Sequence, residues 1–95
     1  MSTSRVIQFT PTLSFGDAVS NDIFAMSAAL SENGYENKIV SITASPKVTD
    51  KTIPLSSFIA KKSDVFLYHM SIGSDLTDYI ISSDVKHKLM VYHNI

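Results

Sequence analysis

Cysteine is absent from this chain of 95 residues, and so is tryptophan. The lack of cysteine excludes disulfide bonds, thiolate zinc sites and cysteine nucleophiles, and it fits a reducing compartment, so we expect a cytoplasmic protein. Basic residues are also few, since eight Lys and Arg against nine Asp and Glu give a formal net charge of -1. Without a basic stripe to neutralise phosphates, nucleic acid is not an expected partner.

Long apolar runs are missing too. No segment reaches the roughly 20 apolar residues of a membrane span, and the first residues lack the apolar stretch of about 7 to 15 residues that a signal peptide needs. With 44% hydrophobic residues and no low-complexity tract, residues 1–95 are predicted to form one domain with one core. The chain stops at Ile95, directly after an apolar run, which predicts that the domain is incomplete.

Short apolar runs predict four strands of a parallel sheet, at residues 5–10, 36–43, 64–69 and 88–93. Pro11 is expected to end the first strand, because proline offers no donor to a sheet. The order of strands and helices then predicts an α/β fold. It is a Rossmann-like half of a doubly wound sheet, with about four parallel strands in the order 2-1-3-4 and helices on both faces.

Helices are predicted between the strands. An amphipathic helix follows the first strand, with Asp17 as its N-cap and Gly34 as its stop. A second helix begins at Ser74, after the third strand. The crossover at residues 44–62 contains two prolines, and only residues 55–60 have a helical pattern, so one short helix is expected there.

Histidines end the third and fourth strands, at the edge where open α/β sheets bind their ligands. Imidazole can act there as acid, base or hydrogen-bonding group, which makes His69 and His93 candidate site residues. His93 is favoured because Asn94 beside it adds an amide donor and acceptor, and Ser71 follows His69 in its loop. An isolated histidine is more often structural, so that role stays open. His87, at the opposite strand end, is expected to be ordinary surface.

The turn at Phe15, Gly16 and Asp17 lies between the first strand and the first helix. Free N–H groups and the helix dipole at such a junction favour an anion such as a phosphate. The alternative is that Gly16 only makes the turn and Asp17 only caps the helix. The Gly-x-Gly-x-x-Gly and Walker motifs are missing, which disfavours classical NAD and NTP sites. No side chains stand at metal-ligand spacing, so neither a metal nor a cofactor is predicted.

Three segments carry a resemblance to a known family: VIQFTPTLSFGDAVSND at residues 6–22, YHMSIGS at residues 68–74 and YHNI at residues 92–95. In their order and spacing they resemble the start of bacterial glycosyltransferases of the GT-B fold, in the large retaining group called glycosyltransferase family 4 or group 1. The resemblance spans nearly the whole chain. The crossover at residues 44–62 is shorter than is usual in the family, which predicts one strand fewer.

The resemblance implies a two-domain enzyme that moves a sugar from a nucleotide-sugar donor to a hydroxyl acceptor with retention. The N-terminal domain mainly binds the acceptor, so the chain alone is expected to be inactive. It further implies that His93 is catalytic and faces the transferred sugar. The donor diphosphate and sugar would lie near Phe15, Gly16, Asp17 and Asn94, and the acceptor near His69 and Ser71. Peripheral membrane association of the full-length enzyme stays compatible with this interpretation.

Two other functions stay open. One is a flavodoxin-like module in which residues 10–16 hold the phosphate of a flavin or nucleotide. The other is a structural or interaction domain without a ligand. The predicted helix arrangement leaves one face bare over the last two strands, so that either Val65, Leu67, Leu89 and Val91 or parts of the opposite set meet water. A homodimer of the chain is therefore expected.

Overall fold

The structure, a computed structural model, describes residues 4–70 and 75–92. Within these ranges, strands and helices alternate along the chain in the order β1 (Val6–Leu13), α1 (Ala18–Glu32), β2 (Asn37–Ala44), a first 3₁₀ helix (Pro46–Lys51), β3 (Ile53–Pro54), a second 3₁₀ helix (Leu55–Ser57), β4 (Val65–Met70), α2 (Asp75–Ser82) and β5 (His87–Tyr92). The strands form one parallel sheet in the order β3-β2-β1-β4-β5. The predicted Rossmann-like α/β fold is confirmed.

The strand count and order differ from the prediction at one edge. The four predicted strands are β2-β1-β4-β5, in the predicted order, and β3 is added beyond β2. This strand is only two residues long and pairs Ile53 with Val40 and Pro54 with Ser41. The prediction that the short crossover lacks a strand is therefore wrong. No sequence pattern marks a two-residue strand that contains proline.

Pro11 does not end β1, contrary to expectation. The strand continues to Leu13, and its pairing with β2 omits Pro11 and resumes at Thr12 with Thr43. β4 pairs with β1 only as far as Phe9 with Tyr68. Pro11 lies beyond that pairing, so its missing N–H removes no hydrogen bond to β4.

The crossover also differs from the prediction. Instead of one helix at residues 55–60, a 3₁₀ turn covers Leu55–Ser57, and Phe58 is already extended. A short helix is marginal on its own, and the extended backbone allows the Phe58 ring to pack edge-on against Phe9, with 5.6 Å between ring centroids. The other 3₁₀ helix begins at Pro46, whose fixed φ suits a first helical position.

Both ends of α1 match the sequence signals. Asp17 is the N-cap, with its side chain accepting the Ser20 N–H. At the other end Gly34 has φ +83, the Gly34 N–H donates to the Ser31 carbonyl at 3.1 Å and the Tyr35 N–H donates to the Leu30 carbonyl at 2.9 Å. This is the Schellman arrangement, which needs a left-handed residue at the position of Gly34.

The two faces of the sheet carry different cores. One face packs against α2 through an apolar cluster of Ile7, Phe9, Val40, Phe66, Tyr68, Leu76 and Ile80. The other cluster packs against α1 and the first 3₁₀ helix and consists of Leu13, Ile23, Ile39 and Val48. Polar side chains are also buried in the sheet, namely Gln8, Thr10, Ser41 and His69.

Within the described ranges, no helix combines the length and hydropathy needed to cross a membrane.

The predicted bare face is narrower than expected. Leu67, on β4, is buried and Val65 is half-buried, so β4 contributes little to the predicted face. Among the described apolar side chains of the last two strands, the exposed ones lie on the edge strand β5, where Leu89 and Met90 are each 57% exposed and Tyr92 is 70% exposed. Of these two strands, only β5 therefore presents exposed apolar side chains for association.

Candidate functional site

A cavity of about 420 Å³ lies at the carboxyl edge of the sheet, where β1 and β4 are neighbours. Its lining comes from the end of β1, the start of α1 and the end of β4: Thr10, Pro11, Thr12, Asp17, Ala18, Val19 and His69. The chain leaves β1 toward β2 and leaves β4 toward β5, on opposite sides. This is the topological switch point of the sheet, where doubly wound proteins bind their ligands.

His69 stands in the wall of this cavity and is only 2% exposed. Its Nε2 lies 2.7 Å from Oε1 of Gln8, and the Gln8 amide nitrogen donates to the Ile23 carbonyl of α1 at 3.0 Å. The strand-end position predicted for His69 is confirmed. Its assignment to the acceptor side stays a prediction.

Gln8 was not among the predicted site residues. It is completely buried, and it joins β1 to His69 of β4 and to α1. The signal in the sequence is a glutamine between Ile7 and Phe9, in a strand that is otherwise apolar at this depth. A buried amide needs hydrogen-bond partners, so such a position indicates a polar neighbour across the core.

Asp17 takes part in a compact hydrogen-bonded loop. Its Oδ1 accepts the Ser20 N–H at 2.9 Å, and its Oδ2 accepts the Ser20 hydroxyl at 3.1 Å. The Ser20 oxygen in turn accepts the Ser14 N–H at 2.9 Å. The capping role of Asp17 is therefore present in the structure, and its carboxylate holds the loop after β1 against the first turn of α1.

The start of α1 supplies backbone donors to the cavity wall. The first N–H groups of a helix have no partner within that helix, and Ala18 and Val19, its first two residues, line the cavity. The helix dipole adds partial positive charge at the same place. The Asp17 carboxylate adjoins these groups and offsets part of that charge.

Gly16 has φ +91, and a Cβ added to it would meet nothing within 4 Å. The glycine is thus required by backbone conformation and not by crowding. Phe15 is 69% exposed, its N–H donates to the Ser45 hydroxyl at 3.2 Å, and Lys47 Nζ lies 5.0 Å from its ring centroid. Phe15 lines a neighbouring cavity of about 430 Å³ with Ser45 and Lys47.

The predicted site residues thus divide into groups. Asp17 and His69 share the switch-point cavity, whereas Phe15 borders the neighbouring one. Ser71, His93 and Asn94 lie outside the described residues. The last described residue before His93 is Tyr92, which pairs with Met70 directly after His69.

Among the described side chains, no group of three or more His, Asp and Glu is arranged to hold a metal ion.

A charged pair lies at the opposite, amino-terminal end of the central strands, where Arg5 precedes β1 and Asp64 precedes β4. Arg5 donates to Asp64 through Nε at 3.0 Å and through its terminal nitrogen at 2.7 Å, and the Lys61 N–H donates to the same carboxylate at 2.8 Å. Burial opposes the charge on Asp64, but the hydrogen bonds from Arg5 and Lys61 together hold its pKa below the ordinary value of 3.8. This pair joins β1 to β4 and is structural.

Comparison with known proteins supplies no relative: no family model matches the chain, and no curated protein or solved structure matches it. The fold and the cavity therefore define its class, a Rossmann-like α/β protein with a ligand-sized cavity at the switch point of its sheet.

Proposed function

We propose that the chain is the N-terminal, acceptor-side part of a retaining glycosyltransferase of the GT-B fold. Such an enzyme moves a sugar from a nucleotide-sugar donor to a hydroxyl acceptor. The observation that carries the proposal is the switch-point cavity, which combines the start of α1, two threonines and a buried histidine. The resemblance of the sequence at residues 6–22, 68–74 and 92–95 supports the same function.

The charge of the cavity favours a hydroxylated group over a phosphate. Among the described residues that line it there is no Lys or Arg, and Asp17 contributes a carboxylate. A diphosphate placed here would meet helix N–H groups on one side and a negative charge on the other. The lining instead contains the hydroxyls of Thr10 and Thr12 and the imidazole of His69, which are side chains of the kind that bind a sugar or another polyhydroxylated acceptor. We therefore assign the acceptor to this cavity.

Catalysis in this proposal needs groups beyond the cavity. The basic residues that neutralise the donor diphosphate would come from a second domain, as the family resemblance implies. The resemblance further implies that His93 and Asn94, which follow β5 in the sequence, would bind the transferred sugar. Catalysis would require the two domains to hold donor and acceptor in reacting geometry.

The strand order bears on the alternative, a flavodoxin-like module. In flavodoxin-like sheets the order is 2-1-3-4-5, so the third strand of the sequence lies beside the first. Here β3 lies beyond β2, and the order 3-2-1-4-5 is that of the first five strands of a classic Rossmann sheet. This difference counts against the flavodoxin-like alternative.

Ligand titrations of the 15N-labelled chain test the acceptor assignment. We expect oligosaccharides or other polyhydroxylated acceptors to shift the backbone amide signals of Thr10, Thr12 and His69. Thr12→Val is expected to weaken that binding about 2- to 12-fold, the effect of one hydrogen bond. The matched variant Thr49→Val, an exposed threonine outside the cavity, is expected to bind like the wild type.

Activity assays test the two-domain part of the proposal. Incubated with nucleotide-sugars and hydroxyl acceptors, the 95-residue chain alone is expected to show no transfer, because the donor site would lie mostly on the other domain. Reproducible transfer by the pure chain would contradict this part. Tight binding of flavin mononucleotide, seen as quenching of flavin fluorescence, would support the flavodoxin-like alternative instead.

A further inference from the structure

The hydrogen bond between Gln8 and His69 bears on the protonation of the His69 ring. Gln8 is fully buried in β1, and His69 is almost fully buried in β4. The Gln8 side chain makes two hydrogen bonds, one to the Ile23 carbonyl at 3.0 Å and one to Nε2 of His69 at 2.7 Å. The first bond determines what the second can be.

The Ile23 carbonyl oxygen can only accept a hydrogen bond, so the NH₂ group of Gln8 must face it. Oε1 of Gln8 then faces His69, and this oxygen can also only accept. Nε2 of His69 must therefore carry a proton. A neutral imidazole has one N–H, so the other nitrogen, Nδ1, is an acceptor in the neutral ring.

We propose that Gln8 is a positioning residue that holds His69 in the tautomer with the proton on Nε2. His69 lines the switch-point cavity, so Gln8 determines which ring nitrogen carries the proton at the wall of that cavity. The tautomer follows from the two hydrogen bonds of Gln8 and does not depend on the proposed function.

The ring nitrogens can be observed directly by 15N NMR of the labelled chain without any ligand. At about pH 9, well above the ordinary histidine pKa of about 6.5, the His69 ring is expected to show a protonated Nε2 and an unprotonated Nδ1. The His69 signals are those that a His69→Asn variant lacks. The Nε2 proton is expected to exchange slowly with water, because it is buried and hydrogen-bonded.

Gln8→Met provides the perturbation, since it keeps the length of the side chain and removes the amide. We expect the Nε2 proton of His69 to exchange at least tenfold faster with water in this variant. Ser41→Ala is the matched control. It removes another buried polar side chain from the same sheet, one that contacts Thr52 at 2.8 Å and not His69. In Ser41→Ala the exchange of the Nε2 proton is expected to stay as in the wild type.

Two results would overturn the proposal. The first is a wild-type His69 ring with its proton on Nδ1 at about pH 9. The second is unchanged Nε2 exchange in a Gln8→Met variant with a native circular dichroism spectrum. If that variant does not fold, exchange of the wild-type Gln8 side-chain amide decides, since unprotected amide protons would contradict the bond to Ile23. If the wild-type chain carries the His69 proton on Nε2 but binds none of the oligosaccharides, that result would count against the proposed function alone.

Discussion

Replacing Asp64 by asparagine is expected to destabilise the protein strongly. The substitution preserves the size of the side chain but removes its charge. Asp64 has no exposed surface, and its two oxygens accept hydrogen bonds from Arg5 and from the Lys61 N–H. Asparagine places an NH₂ donor where one of these oxygens accepted, so at least one donor of the cluster loses its partner.

The expected loss follows from the burial of the pair. Removing one partner of a buried ion pair costs about 3 to 5 kcal/mol, since the other charge is left uncompensated. The Arg5 side chain is 13% exposed, so water recovers part of that loss. We therefore expect the free energy of unfolding to fall by about 2 to 4 kcal/mol. A chain of this length has about 5 to 14 kcal/mol of stability in total.

Urea unfolding followed by far-UV circular dichroism measures this difference. The matched control is Asp84→Asn, which makes the same chemical change in the Lys62–Asp84 pair. That pair is 3.7 Å apart with both side chains 88% exposed, so no measurable change is expected. An Asp64→Asn variant as stable as Asp84→Asn would refute the reasoning that the Arg5–Asp64 pair joins β1 to β4.

The remaining predictions concern pH, the first turn of α1, the last strand and association. Because the Asp64 pKa is lowered in the fold, its stabilisation is complete above about pH 4 and is lost as pH falls further. An acid titration of stability should show a smaller loss in Asp64→Asn. Asp17→Ala removes two bonds to Ser20 and is expected to cost about 1 kcal/mol in urea unfolding, whereas Asp22→Ala on the exposed face of α1 is expected to change little. If the proposed glycosyl transfer holds for the full-length protein, His93→Ala is expected to lower kcat/KM about ten- to a thousandfold without unfolding the protein, and unchanged kinetics would assign it a structural role. The exposed apolar side chains of the edge strand β5 predict self-association at micromolar concentration, and a clean monomer in sedimentation would contradict this.

The sequence predicted those parts of the fold that depend on local signals. The caps at Asp17 and Gly34 were found because each acts within one helical turn. The strand-end position of His69 was found because apolar runs mark strands. The pairing of Gln8 with His69 spans 61 residues, and that of Arg5 with Asp64 spans 59. Such partners are chosen by the register of the folded sheet, which the local pattern does not contain.

The sequence predicts the edge of the sheet at which the candidate site lies, but not which side chains line its cavity. Strand ends and the first turn place Asp17 and His69 at the same edge, and the structure brings them to one cavity. The sequence groups Phe15 with them, but its ring packs against Lys47 instead. The direction of an exposed side chain in a loop depends on neighbours that are distant in sequence, here the start of the crossover.

Because β1 continues through Pro11, the sheet splits into two pairs of strands at its carboxyl edge. β1 and β4 run side by side only to Phe9 and Tyr68. Beyond that point β1 stays with β2 as far as Leu13, and β4 stays with β5 as far as Met70. The switch-point cavity is lined by residues from both sides of this separation, Thr10, Pro11 and Thr12 on β1 and His69 on β4. Pro11 has no N–H and so offers no backbone donor that could pair the end of β1 with β4.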